Sequence, residues 1–138
     1  MTPPIDFQAL FEKSPNPYVL LDRDLVIVSA NSAYLEVTGR TLDSIIGKSM
    51  FDAFPSEPGS PSYQQLRSSL ERAFAGGAVD HLPLIQYDID RGGTVEQLYW
   101  SATHVPLAGA NGETSYVLQH TTDVTELHTL RSAARPLP

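Results

Sequence analysis

The histidines are the side chains best suited to metal or acid–base chemistry in this sequence, but they are scattered. They occupy positions His81, His104, His120 and His128, with no HxH or HExxH pair among them. A zinc site needs several ligands at fixed short spacings on compatible faces. The chain has no Cys, which excludes a disulfide, a thiolate metal site and a cysteine nucleophile. We therefore expect isolated strand and surface histidines rather than a metal centre.

A pair of carboxylates, Asp88 and Asp90, lies on one face of a predicted strand, but no third metal ligand accompanies them. We interpret both as residues that lead into the Gly92-Gly93 turn. One alternative is a small cone-shaped α+β enzyme, in which Asp88 or His104 acts as general base in an apolar pocket. The GxSxG, P-loop and GxGxxG motifs of acyl transfer and nucleotide binding are absent from the sequence.

The string Asp123-Val124-Thr125-Glu126 lies where the last predicted strand gives way to a helix. Thr125 is a suitable N-cap, and Glu126 is favourable at the positive end of the helix. The Asp123 carboxylate can pair with a cation or accept backbone N–H bonds, which would fix the angle at which the helix departs. Residues Asp123, Thr125 and Glu126 are therefore candidates for passing a structural change to this helix.

The composition limits the class of protein that can position these residues. With 138 residues the chain is the length of one domain. It carries 9 Lys and Arg against 16 Asp and Glu, a net charge of -7, which argues against a nucleic-acid partner. No run approaches the roughly 20 apolar residues of a membrane-spanning helix, and the N-terminal residues do not resemble a secretory signal. We expect a cytoplasmic domain without direct membrane contact.

Periodicity and turn residues predict the elements. A short helix contains Phe7, Leu10 and Phe11, and it is followed by a hairpin and three helices. The hairpin strands are 18–22 and 25–30. The first of the three helices has Asn31 as N-cap, the second begins at Thr41, and the third begins at Pro61 with Ser60 as N-cap. Three further strands are predicted over 82–89, 95–107 and 115–124, before a helix that follows Thr125. This order predicts an α+β domain with a five-stranded antiparallel sheet and helices between strands 2 and 3. The inserted helices would cover one face of the sheet and the terminal helices the other.

This order and several strings resemble the PAS (Per-Arnt-Sim) domain. The strings are Leu21–Tyr34, Thr38-Gly39-Arg40 with Ile46-Gly47-Lys48, and Asp123-Val124-Thr125-Glu126. Three others, Phe51–Pro55, Gln86–Ile89 and Tyr99-Trp100-Ser101, are similar to the N-terminal sensor PAS domains of bacterial two-component histidine kinases. The chain departs from that group at His104, where Asn is usual.

The resemblance implies a sensor that is not itself an enzyme. It divides the chain into an N-terminal cap helix (1–16), a PAS sensor domain (17–125) and the start of a C-terminal signalling helix (126–138). Such a domain binds a small molecule or forms a homodimer, and it acts on a downstream kinase or effector in the parent chain. The cofactor stays unknown. A covalent flavin adduct needs a Cys, whereas non-covalent flavin stays open. Haem-binding relatives place a His on the long helix, and residues 63–75 contain none.

Matching the strands to the PAS pattern places Trp100 and His104 inward, together with the face of the last strand that carries Gln119. The implied pocket is mostly apolar with a few polar groups, as small-ligand sites are. It is lined by Tyr34, Phe51, Phe54, Leu70, Tyr87, Trp100, His104 and Gln119. The alternative is a core filled by these side chains, in a PAS module that only dimerises or binds a partner.

Overall fold

The computed structural model describes residues 2–134, and its framework is an antiparallel β-sheet. The helices are α1 (Phe7–Lys13), α2 (Ser32–Thr38), α3 (Leu42–Ile45), α4 (Met50–Ala53), α5 (Pro61–Gly76) and α6 (Thr125–Ala133). The strands are β1 (Tyr18–Asp22), β2 (Ile27–Ala30), β3 (Asp80–Gln86), β4 (Ile89–Arg91), β5 (Thr94–Glu96), β6 (Tyr99–Ala108) and β7 (Thr114–Asp123). Five strands pair in the order β2-β1-β7-β6-β3, and β4 pairs with β5 in a separate ribbon. The predicted α+β class, with a five-stranded antiparallel sheet and helices inserted after the second strand, is confirmed.

The helix α5 follows the signals in its sequence. The Ser60 hydroxyl accepts a hydrogen bond from the Tyr63 amide, and Pro61 occupies the first turn, where its missing N–H is not needed. The helix ends where Gly77 takes a positive φ of 61°. Among residues 2–134, no helix is long and apolar enough to cross a membrane. The last four residues of the predicted segment 126–138 lie outside the described residues.

The turn between β1 and β2 is longer than predicted. Leu25 was expected in the second strand, but it takes a positive φ of 62°, and β2 begins only at Ile27. The cause is Asp22, whose Oδ1 accepts hydrogen bonds from the amides of Asp24 and Val26 at 2.9 and 3.0 Å. This side chain satisfies the amides locally, so they do not extend the strand ladder.

The third and fourth predicted strands are each divided in two. The predicted run 82–89 is split between β3 and β4, and the run 95–107 between β5 and β6. At the split, the Tyr87 amide donates to the Leu98 carbonyl at 2.9 Å, and the Leu98 amide donates to Asp88 Oδ1 at 3.2 Å. Because the Asp88 side chain replaces a strand carbonyl as acceptor, the chain leaves the main sheet here and forms the β4–β5 ribbon.

The core lies between α5 and the inner face of the sheet. The side chains of Val19, Leu21 and Val117 lie on this face. Leu70 of α5 packs against it and is fully buried. Burying each such side chain stabilises the fold by about 1.5–3 kcal/mol. The prediction that the terminal helices cover the outer face holds only in part. Helix α1 packs beside α2, and Tyr116 of the outer face stays 41% exposed.

Candidate functional site

A mostly apolar cavity of about 50 Å³ lies between the sheet and the helices. A buried water needs about 10–15 Å³ of such space, so the cavity has room for a few water molecules or a very small ligand. Its walls come from the helices α2, α4 and α5 and the strands β3, β4, β6 and β7. They are formed by Tyr34, Thr38, Met50, Phe54, Leu66, Ile85, Tyr87, Ile89, Trp100, Ala102, Gln119 and Thr121.

The structure brings most of the predicted pocket residues together. Five of the eight line the cavity: Tyr34, Phe54, Tyr87, Trp100 and Gln119. Leu70 and His104 are fully buried in the surrounding core, where His104 contacts the Gln119 side chain. Thr38 lies on the wall but is missing from the predicted set. The signal that would have found it is its position four residues after Tyr34, on the same face of α2.

Phe51 lies outside the cavity. Its ring packs on the ring of Tyr63 with centroids 4.3 Å apart, and it lines an outer groove that also contains Phe74. The reason is the geometry of α4, which is a single turn. Met50, the first residue of the helix, reaches the cavity, so the side chain of the next residue, Phe51, points about 100° away from it.

Two tyrosines supply polar atoms to the cavity wall. The Tyr87 hydroxyl donates to the Phe54 carbonyl at 2.6 Å. Among residues 2–134, the Tyr34 hydroxyl has only the Met50 Sδ as a partner, at 4.0 Å, and a thioether is a weak acceptor. Burial raises the pKa of both phenols, so each stays a neutral donor. The Tyr34 hydroxyl is therefore the tyrosine group best placed to donate to a ligand.

The buried His104 belongs to a series of hydrogen-bonded side chains, here named the His104 chain, which also contains Ser69, Asp80, Arg72 and Gln119. Ser69 Oγ lies 2.7 Å from His104 Nδ1 and donates to Asp80 Oδ2 at 2.5 Å. The Gln119 Nε2 lies 2.9 Å from His104 Nε2. Arg72 makes two bonds to the Asp80 carboxylate, at 2.9 and 3.0 Å. The His104 chain thus connects Gln119 of the cavity wall to the Arg72–Asp80 ion pair at the surface.

The electrostatics of the His104 chain favour a neutral imidazole beside an ionised carboxylate. Desolvation lowers the pKa of His104 to about 4. The Arg72 guanidinium, with help from the Ser69 hydroxyl, lowers the pKa of Asp80. Both ring nitrogens of His104 already have partners, so neither is free to take a proton from a substrate. This geometry does not support His104 as a general base.

Asp88 and Asp90 have local structural roles. Asp88 accepts the Leu98 amide at the strand split, and Asp90 Oδ1 accepts the Gly93 amide at 2.9 Å within the turn. The second bond fits the predicted role of Asp90 in leading into the Gly92-Gly93 turn. Across residues 2–134, no group of three His, Asp or Glu side chains is arranged to hold a metal ion.

The base of α6 is held by Tyr99, the first residue of β6. The Val124 amide donates to the Tyr99 carbonyl at 2.8 Å, and Thr125 Oγ1 accepts from the Tyr99 amide at 2.9 Å. The His128 ring stacks on the Tyr99 ring with centroids 4.0 Å apart. We name Tyr99, Val124, Thr125 and His128 the Tyr99 clamp. The next residue along β6 is Trp100, which lines the cavity and donates from Nε1 to the Tyr87 carbonyl at 2.8 Å.

The three predicted relay residues lie at this junction. The Asp123 carboxylate is exposed and accepts the Thr125 amide at 2.9 Å, which is one of its two predicted modes. The prediction of Thr125 as N-cap is wrong. Val124 occupies the cap position without a side-chain bond, because the Thr125 hydroxyl is engaged by Tyr99 of the neighbouring strand. Glu126 lies in the first turn of α6, as predicted.

Comparison with known families and structures gives one consistent fold. A family model described as "PAS fold" matches residues 11–129, while the curated proteins gave no match. The PAS domain of a Colwellia psychrerythraea protein is 17% identical, with a TM-score of 0.69 over 87% of this chain and 94% of that one. The PAS domain of Bordetella pertussis BvgS is 23% identical, with a TM-score of 0.60 over 92% and 95%. An RNA-binding Light-Oxygen-Voltage receptor is 21% identical, with a TM-score of 0.70 over 92% of this chain but only 37% of its own length.

The similarity to Light-Oxygen-Voltage proteins raises the question of whether the cavity fits a flavin. Sites for ligands of that size typically enclose about 300–1,000 Å³, against about 50 Å³ here. The chain also lacks the Cys that a covalent adduct requires. The residues present therefore do not fit a flavin in this arrangement.

Proposed function

Because the chain belongs to the PAS family, we propose that it is the sensor domain of a bacterial two-component signalling protein, with a sensor histidine kinase as the parent. In this proposal a small molecule in the cavity changes the position of α6. One observation carries it: Trp100 of the cavity wall and Tyr99 of the clamp on α6 are consecutive residues of β6.

The cavity wall indicates the chemistry of the ligand. Within the described part of the chain, the wall contains apolar side chains and neutral polar ones but no charged group. Burying an unpaired charge there would be costly, so the ligand is uncharged. The Tyr34 hydroxyl and the Gln119 amide would recognise it by hydrogen bonds. The cavity volume limits it to a few heavy atoms unless the walls move.

The proposed relay runs through the start of β6. A ligand that pushes on Trp100 strains its bond to the Tyr87 carbonyl and shifts the strand backbone at Tyr99. Both backbone groups of Tyr99 hydrogen-bond to the base of α6, so the shift changes the balance between two orientations of this helix. Couplings of about 1–3 kcal/mol are typical of such transitions and change downstream activity several-fold to a hundredfold.

Native mass spectrometry and an absorption spectrum of the purified protein test ligand binding. The Ala102→Leu variant fills the cavity from its wall, and Ala110→Leu is the matched control in the exposed β6–β7 turn. We expect a co-purifying small molecule on the wild type and on the control, and its loss from Ala102→Leu. The same adduct on all three proteins, or a bare chain that binds no small molecule from a library of uncharged compounds, would contradict the proposal.

A second candidate function is a ligand-free dimerisation module, favoured by apolar side chains on both terminal helices. On α1, Phe7 and Leu10 are 73% and 61% exposed, and on α6, Leu127 and Leu130 are 47% and 59% exposed. We propose that a second copy of the chain covers them, since neighbouring exposed apolar side chains on one helix are typical of interaction surfaces. Sedimentation equilibrium tests this: a dimer that Leu130→Ser dissociates supports it, and a monomeric wild type contradicts it.

A further inference from the structure

We propose that His104 is a positioning residue held in its neutral Nδ1–H tautomer, through which the surface pair Arg72–Asp80 sets the hydrogen-bonding group that Gln119 presents to the cavity. Only the last step, use of this group to recognise a ligand, rests on the proposed function. The tautomer and its dependence on the surface pair stand on the hydrogen-bonding geometry alone.

The direction of the His104 chain follows from the proton on Ser69. Its hydroxyl lies 2.5 Å from Asp80 Oδ2 and 2.7 Å from His104 Nδ1, and it has one proton to donate. The Asp80 carboxylate, bonded twice by Arg72, can only accept. Ser69 therefore donates to Asp80 and must accept from His104. This places the imidazole proton on Nδ1.

The proton on Nδ1 also determines the hydrogen bonds between the His104 ring and the cavity. With its proton on Nδ1, His104 presents a lone pair at Nε2, and the amide nitrogen of Gln119 at 2.9 Å donates to it. The Gln119 carbonyl oxygen is thereby turned toward Thr121, whose hydroxyl donates to it at 3.2 Å. One N–H of the Gln119 amide then has no partner among the described residues. It suits a ligand with a carbonyl, ether or hydroxyl acceptor.

The hydrogen bonds of the His104 chain can also all run in the opposite direction, because a neutral imidazole has one donor and one acceptor nitrogen and either nitrogen can be the donor. If Asp80 no longer accepts from Ser69, the hydroxyl proton is free to turn to His104 Nδ1. The ring proton then moves to Nε2, and the Gln119 amide must rotate to present its oxygen. A change at an ion pair on the surface therefore reverses the hydrogen-bonding character of a cavity wall that it does not touch. The fully buried position of His104 supports a neutral ring in both arrangements.

Long-range ¹H–¹⁵N spectra of the ligand-free, ¹⁵N-labelled protein at pH 7 test this directly, because the unprotonated ring nitrogen resonates far downfield of the protonated one. The His104 signals are assigned by their loss in His104→Gln. We expect Nδ1 at the protonated position in the wild type. In Ser69→Ala and in Asp80→Ala the Nδ1–H signature should be lost. The Nδ1 and Nε2 resonances of His104 should then move toward each other or take each other's positions. The control is Ser68→Ala, next to Ser69 on α5 but outside the His104 chain, and it should leave both resonances unchanged.

An Nε2–H tautomer in the wild type would overturn the proposal, and so would an unchanged Nδ1–H tautomer in both Ser69→Ala and Asp80→Ala. Asp80 is at the edge of the core with a side chain 21% exposed, so this variant provides the measurement if Ser69→Ala fails to fold. The experiment uses no ligand. A negative result in native mass spectrometry with the expected tautomer would therefore reject the sensing function and leave the role of His104 intact.

Discussion

The burial of His104 predicts how the stability of this protein depends on pH. Desolvation lowers the pKa of His104 from 6.5 to about 4 on folding. The unfolded chain therefore binds this proton at a higher pH than the folded chain does, and acidification favours unfolding. The contribution is fully present above about pH 6.5 and is lost as the pH falls toward 4. At about 1.4 kcal/mol per pH unit, this single residue should remove about 3 kcal/mol of unfolding free energy.

Other groups of the His104 chain act outside this window. The pKa of Asp80 is lowered below its ordinary value of 3.8 by Arg72, so its contribution is present above that pH and is lost only at lower pH. Between pH 7 and 4.5, His104 is therefore the member of the His104 chain whose contribution to stability changes. Measurements in this window also avoid the range in which most carboxylates take up protons in the unfolded chain.

The assay is urea unfolding across this range, followed by the fluorescence of Trp100, the single tryptophan of the chain. The His104→Asn variant keeps a donor and an acceptor but cannot be protonated. It should be less stable than the wild type at pH 7, and this difference should shrink by about 2–3 kcal/mol toward pH 4.5. Ser68→Ala, which changes a residue of α5 outside the His104 chain, is the control, and its unfolding free energy should follow the same pH dependence as that of the wild type. Parallel curves for wild type and His104→Asn would refute the reasoning.

Three further predictions test the core, the clamp and a buried cap. Leu70→Ala should lower the unfolding free energy by about 2–5 kcal/mol, while Leu84→Ala, at an exposed position of β3, should change it by less than about 0.5 kcal/mol; urea unfolding measures both. Thr125→Val removes the hydroxyl that accepts the Tyr99 amide, so hydrogen exchange of the α6 amides should accelerate several-fold. The control is Thr129→Val, which loses only a bond within the helix and should leave the exchange nearly unchanged. Asn31→Ala should lower the unfolding free energy by about 1–3 kcal/mol, because it removes the hydrogen-bond partner of two amides and two carbonyls. A loss below about 0.5 kcal/mol in urea unfolding would contradict this.

Local signals explain why much of the fold was predictable. The cap at Ser60, the proline at position 61 and the glycines after residue 75 define α5 without reference to any other element. The same holds for the start of α2, where Asn31 accepts the Tyr34 amide as an N-cap should. Such signals depend only on neighbours in the sequence, so the element order and the antiparallel sheet could be inferred from them.

The contacts that define the site are between residues far apart in sequence. Ser69 and His104 are 35 residues apart, and no pattern in either segment indicates that they meet. Thr125 was correctly placed at the junction, but its partner Tyr99 lies 26 residues earlier. Phe51 was misplaced for a different reason: a helix of one turn has too short a periodicity to show which side faces the core.

In the proposed function, the cavity and α6 are coupled through Tyr99. Hydrogen exchange of the α6 amides in Ala102→Leu, compared with Ala110→Leu and the wild type, tests it most directly. Filling the cavity from β6 should displace the start of that strand and change α6 exchange several-fold, beyond any change in global stability measured by urea in the same samples. Identical exchange in all three proteins would show that the cavity and the helix are not coupled and would contradict the proposed relay through Tyr99.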